Sequence, residues 1–183
     1  MPIPDFDHNH VLPPHLGDPR IRLNVSPYEC TTLELCEKFS TSIVRIDLLK
    51  KFIEFRSRMR DVGLNYGFQW IDGSFLENIE KSESRDPKDI DVVTFFGNLT
   101  IPEQHAVNAA FPEFFSPSLA KMRYKVDHYP VHYDYDPGFT VESARYWIQL
   151  FTHKRNGVWK GILKIPLNTM YEDDKALLYL NSL

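Results

Sequence analysis

Two strand-like segments joined through a Gly-Ser turn constrain this chain more than any other feature. Trp70-Ile71-Asp72-Gly73-Ser74 reads as a strand running into a tight turn, and Lys88-Asp89-Ile90-Asp91-Val92 as the start of a second strand. Side chains alternate across a strand, so Asp89 and Asp91 point the same way. Two parallel carboxylates repel unless a cation sits between them. A Gly-Ser turn at a helix start offers bare backbone N–H groups that suit a phosphate. A phosphate cradle beside metal-holding carboxylates is what moving a nucleotidyl or phosphoryl group requires.

The flanking pattern reads as helices packed on a mixed sheet, an α+β domain. Thr31 to Phe39 is expected to be a short helix capped by Thr32. Ile43 to Val62 is an amphipathic helix with Ile46, Leu49, Phe52, Ile53 and Met59 at helical spacing. Arg45, Lys50, Lys51, Arg56, Arg58 and Arg60 fill its other faces, and Gly63 is its stop. Tyr66 to Asp72 is a strand, Phe75 to Lys81 a helix opened by Ser74, and Ile90 to Phe96 a buried strand. Thr100-Ile101-Pro102-Glu103 carries a cap residue, an early proline and a glutamate three residues on, a strong helix start. Tyr124 to Tyr133 reads as a strand that tolerates Pro130 only at an edge or bulge. Val141 to His153 reads as a helix with Ala144, Trp147, Ile148 and Phe151 inward, Val158 to Leu167 as a last strand, and Met170 to Leu180 as a terminal helix.

Residues 1–30 are rich in Pro, His and Asp and read as an extended N-terminal arm, with residues 31–183 as the domain proper. At 43% hydrophobic and 14% aromatic residues, the 183-residue chain belongs with folded proteins. A formal charge of −4 excludes a broad nucleic-acid footprint, leaving at most a local basic groove. No apolar run is long enough to cross a bilayer, so no membrane role is expected. Met1-Pro2-Ile3-Pro4-Asp5 lacks the basic start and apolar core of a secretory signal. Cys30 and Cys36 read as incidental or buried thiols of a reducing compartment, and the expected location is cytoplasmic.

Gly73-Ser74, fourteen intervening residues and Asp89-Ile90-Asp91-Val92 together resemble the signature of the nucleotidyltransferase (DNA polymerase β-like) superfamily. The resemblance covers roughly residues 40–135. Gln69 to Phe75 and Lys154 to Ile162 also resemble a small, poorly characterised bacterial and phage branch of that superfamily. The resemblance implies a nucleotidyltransferase-like mixed sheet and a third acid on a neighbouring strand, for which Asp127 in Tyr124-Lys125-Val126-Asp127-His128 is the match. It implies that Asp89, Asp91 and Asp127 hold Mg²⁺ or Mn²⁺. It further implies that Gly73 and Ser74 bind the β and γ phosphates of an NTP, with Arg85 and Lys88 as further nucleotide contacts. The implied reaction is transfer of NMP, AMP first among them, to a protein or other acceptor, with pyrophosphate leaving. Minimal members often act as antitoxins that modify a toxin, or in phage defence.

Other residues leave alternatives open. The same fold with catalysis unused would be a binding protein, an antitoxin, inhibitor or scaffold acting through protein contacts. The arm, with exposed Phe6, Val11 and Leu12, would then be a docking strand. Lys154, Arg155 and Lys160 surround a turn and either meet a nucleotide or complement a helix dipole. Trp70, Trp147, Phe151 and Trp159 read as core. His128, His132 and Asp134 make a weak transition-metal pattern that lacks a fourth ligand.

Overall fold

Each long apolar stripe buries where its spacing directs it, and the result, seen in a computed structural model describing residues 3–183, is one α+β domain. In chain order its elements are β1 (Tyr28–Glu29), α1 (Thr32–Phe39), α2 (Ile43–Asp61), β2 (Gly67–Asp72), α3 (Ile79–Ser82), β3 (Ile90–Phe96) and α4 (Ile101–Ala110). They continue as α5 (Pro117–Tyr124), β4 (Val126–His132), α6 (Pro137–Phe151), β5 (Leu163–Pro166) and α7 (Met170–Asn181). The five strands form one mixed sheet in the order β1-β5-β2-β3-β4. β2 runs antiparallel to both β3 and β5, while β4 runs parallel to β3 and β1 parallel to β5.

β3 lies inside the sheet, and six of its seven residues are buried, as its apolar run on both faces requires. β4 is an edge strand, which is why Pro130 is accommodated. One sheet face is covered by α1, α2, α5 and α7, whose Leu35, Phe39, Leu49, Phe52, Phe55 and Tyr124 meet Ile71, Ile90, Val92 and Val126. The other face carries Val93, Phe95 and Val131 and is covered chiefly by α6, through Ala144, Trp147, Ile148 and Phe151. No helix among the described residues is long and apolar enough to cross a membrane.

Several sequence expectations change. α1 is capped by Thr31, one residue early, in a reciprocal capping box with Glu34. The helix expected from Phe75 to Lys81 is a single 3-10 turn at Ser74–Leu76 followed by the four-residue α3. The last strand is shorter than expected, Leu163–Pro166. Arg45 and Arg56, assigned to outer faces of α2, are buried, and each is paired. Trp159 is mostly exposed, not core. Met1 and Pro2 of the arm lie outside the described residues. Val11 and Leu12 are fully buried, and the Gly161 N–H donates to Leu12 O at 2.7 Å, so neither side chain is free to dock elsewhere. Cys30 and Cys36 are buried free thiols, and burial pushes the Cys36 thiol up to about 12.

Candidate active site

Alternation along three strands assembles the site. β2 ends at Asp72, which is paired with Asp91 of β3, and Asp91 is paired with Asp127 of β4. Residues opposite one another on adjacent strands share a sheet face. Asp72, Asp91 and Asp127 therefore stand in a row on the α6 face, with Asp89 two residues before Asp91 on the same side. All four line a cavity of about 740 Å³, together with Gly73, Ser74, Arg85 and Lys88. Every site residue expected from the sequence thus reaches one cleft.

The turn is shaped for close approach. Gly73 has φ +88° and ψ −177°, a conformation essentially restricted to glycine. A Cβ there would lie 2.1 Å from Asp91 Oδ2, so the missing side chain is what lets the acid sit against the turn. The Ser74 amide donates to no main-chain carbonyl among the described residues. With only one 3-10 turn behind it, the cradle rests on individual N–H groups and gains little from a helix dipole. Arg45 holds the turn from below: Nη1 donates to Phe75 O at 2.6 Å and Nη2 to Glu77 O at 2.7 Å, with Glu80 closing the guanidinium at 2.5 Å.

Charges around the cleft are distributed unevenly. Lys160 is buried and its Nζ lies 2.8 Å from Asp72 Oδ1 and 2.9 Å from Glu77 Oε1. Burial opposes the Lys160 ammonium, but Asp72 and Glu77 outweigh it and hold its pKa above the usual lysine value. Burial pushes Asp72 up to about 6 in spite of Lys160. The Asp72 Oδ1–Lys160 distance is that of a buried ion pair. Asp91 has no ion pair among the described residues; burial, then the charges of Asp72, Asp89 and Asp127, push it up to about 7. Lys121 of α5 bridges the remaining two acids, its Nζ 2.7 Å from Asp89 Oδ2 and 2.9 Å from Asp127 Oδ2.

Among the described residues, no three His, Cys, Asp or Glu side chains already form a cage for a metal ion. Two features nevertheless suit a divalent cation. The donors are all carboxylate oxygens, the hard ligands that Mg²⁺ and Mn²⁺ prefer. The Lys121 ammonium already stands as a cation between two of the acids. In donor chemistry these carboxylates fit such an ion.

Cations and aromatic rings form the rest of the cleft. Lys88 and Arg155 line it without an ion pair among the described residues, whereas Arg85 is held by Glu83 at 2.8 Å. Lys154 pairs with Glu77 at 2.9 Å. On the α6 side stand Tyr129, Tyr146 and Trp147, with the Tyr129 and Trp147 rings 4.7 Å apart and those of Tyr146 and Trp147 5.0 Å apart. Trp147 thus serves the cleft as well as the second core. His128 faces the opposite side of the sheet, buried with Nε2 2.7 Å from Thr94 Oγ1, and His132 pairs with Asp134 at 2.9 Å, so the two histidines have separate structural partners.

Asp72, Glu77, Lys121 and Tyr129 were absent from the sequence expectation. Alternation alone places Asp72 beside Trp70 and Phe68, and Tyr129 beside Asp127, so both were findable. Lys121 carries no local signal, since its role depends on how α5 meets β3 and β4.

The fold and site define an α+β domain with an acid-floored, cation-rimmed cleft beside a glycine turn. A family of unknown function (DUF6932) matches residues 4–166, and the chain belongs to it. No curated protein and no solved structure matches the chain.

Proposed function

We propose that the cleft binds a nucleoside triphosphate with Mg²⁺ or Mn²⁺ and transfers its nucleoside monophosphate to an acceptor hydroxyl, which attacks the α-phosphorus as the α–β phosphoanhydride bond breaks and pyrophosphate leaves, in the manner of the nucleotidyltransferases it resembles. The observation that carries this reading is the convergence of Asp72, Asp89, Asp91 and Asp127 on one sheet face, against a glycine turn. Asp89, Asp91 and Asp127 would hold the ion, which when bound offsets phosphate charge and lowers the pKa of an attacking hydroxyl. The Gly73-Ser74 turn receives the terminal phosphates, with Lys88 and Arg155 as counter-charges and Arg85 after it leaves Glu83. Tyr146 and Trp147 give the base an aromatic wall, and such stacking contributes about 1–3 kcal/mol per base. AMP is the favoured group transferred, and a protein side chain the favoured acceptor, as in an antitoxin acting on a partner toxin.

Calorimetry with Mg²⁺–ATP tests the binding step, and transfer of ³²P from α-labelled ATP to protein tests the chemistry. Binding and transfer are both expected in the native chain and both lost in the Asp89→Asn, Asp91→Asn double variant. Absence of binding for all four Mg²⁺–NTPs would defeat the reading.

One observation favours a second reading: the Lys121 ammonium pairs with two of the acids. A protein in which that pairing is permanent would act only by binding a partner. It would retain its cellular effect in the Asp89→Asn, Asp91→Asn variant.

A further inference from the structure

We infer that Lys121 is a tethered counter-cation whose ammonium holds the place of a divalent ion between Asp89 and Asp127, so that ion loading and Lys121 release are one exchange. The inference rests on the nucleotide-binding reading above and adds a control to that same site.

The geometry carries it. Lys121 Nζ is 2.7 Å from Asp89 Oδ2 and 2.9 Å from Asp127 Oδ2, whereas neither acid has another ion-pair partner among the described residues. These acids come from the entry to β3 and from β4, and the one group joining them comes from a third element, α5. The two lysines of the site differ in freedom. The Lys160 side chain is 5% exposed and locked between Asp72 and Glu77, whereas that of Lys121 is 49% exposed. Its flexible four-carbon stem can swing the ammonium into water, where it is readily hydrated. Its neighbours on α5, Ala120 and Tyr124, are fully buried, so the helix stays anchored when the Lys121 side chain leaves.

Electrostatics supplies the reason for such a device. Acids crowded in a cleft repel when no cation is present. Lys121 relieves two of them, and Asp91 keeps no ion-pair partner. A divalent ion brings twice the charge of the ammonium and accepts oxygens from several acids at once, so it replaces Lys121 when its concentration suffices. The cleft is thereby closed to weakly held cations and opens to an ion arriving with a triphosphate. The displaced ammonium is left beside a polyanion.

The test is Mn²⁺ binding to the nucleotide-free full chain at constant ionic strength, read from the electron paramagnetic resonance signal of free Mn²⁺. Lys121→Met is expected to bind Mn²⁺ at least tenfold more tightly than the native chain. Lys121→Arg, which keeps the charge and can hold two carboxylates, is expected to bind no more tightly than native. An independent readout is acetylation of Lys121 by acetic anhydride, followed by mass spectrometry. Mg²⁺ should speed it several-fold while leaving exposed Lys81 unchanged. Equal or weaker Mn²⁺ affinity in Lys121→Met overturns the exchange but leaves the nucleotide reading standing if Mg²⁺–ATP still binds. Absence of Mn²⁺ binding in both proteins, with no binding of Mg²⁺–nucleotide, overturns both.

Discussion

On the sheet face packed by α1, α2, α5 and α7, Arg56 meets Asp173 at 3.0 Å, Gln69 Oε1 at 2.7 Å and Thr169 Oγ1 at 2.6 Å. Gln69 Nε2 donates to Thr94 Oγ1 at 3.1 Å, and Thr94 lies 2.7 Å from His128 Nε2. On the opposite face, three residues along the same strands from Gln69 and Thr94, Asp72 and Asp91 carry shifted pKa values, and Asp91 has no ion pair among the described residues. Both faces bury charge beside the same backbone. The first matches each charge with a partner of fixed geometry, as burial requires. The second leaves Asp91 facing the cleft with no ion-pair partner among the described residues. Packing accounts for the first arrangement; the second, with acids crowded and one unpaired, is what the proposed nucleotide reading requires.

Substitutions on the two faces should therefore act in opposite directions. The largest effect is expected from Arg56→Ala, which strands the buried Asp173 carboxylate and should lower unfolding free energy by about 3–5 kcal/mol in urea titrations. Asp91→Asn is expected instead to raise the melting temperature of the metal-free protein at pH 8, by roughly 2–6 °C for a domain of this size. If Asp91→Asn destabilises as Arg56→Ala does, the contrast between the faces fails.

Gly73→Ala should come next. The φ of +88° strains any other residue, and the added Cβ meets Asp91 Oδ2. A stability loss of about 1–3 kcal/mol is expected. Calorimetry should show Mg²⁺–ATP binding lost while circular dichroism remains native.

The faces should also differ in their response to pH. Asp91 is raised to about 7 mainly by burial, so its contribution to stability falls as pH rises from about 4 to 7 and the deficit persists above. His128 is lowered to about 3 by burial, so its contribution is complete above about 6.5 and is lost progressively as pH falls toward 3. Thermal melts of metal-free native protein should show a broad maximum on the acidic side of neutrality. In Asp91→Asn the alkaline decline should weaken and the maximum move to higher pH. The smallest effect belongs to Arg85→Ala: Arg85 pairs only with exposed Glu83, so the melting temperature should not move measurably. Mg²⁺–ATP affinity should still fall a few-fold.

The cleft was more legible than some of the fold around it. Gly73, Ser74, Asp89 and Asp91 announce themselves because strand alternation and a glycine turn are local rules, whereas Asp127 was expected only through the resemblance. The extents of β3 and α2 follow from equally local patterns. The 3-10 turn after Gly73 escaped because Phe75, Leu76 and Ile79 bury equally well from a 3-10 turn or from an α-helix. Arg45 and Arg56 escaped because a helical wheel assigns guanidinium groups to water, whereas here carbonyls and carboxylates from distant segments receive them.

By itself the sequence determined that strands would set Asp89 and Asp91 on one side of a sheet, beside a turn only glycine can make. These are consequences of bond geometry within a few residues. Which cations answer those acids was decided only by the tertiary structure. Lys121 and Lys160 come from segments remote from β3, and ion-pair distances of a few ångströms exist only after α5 and the chain before β5 have packed against the strands.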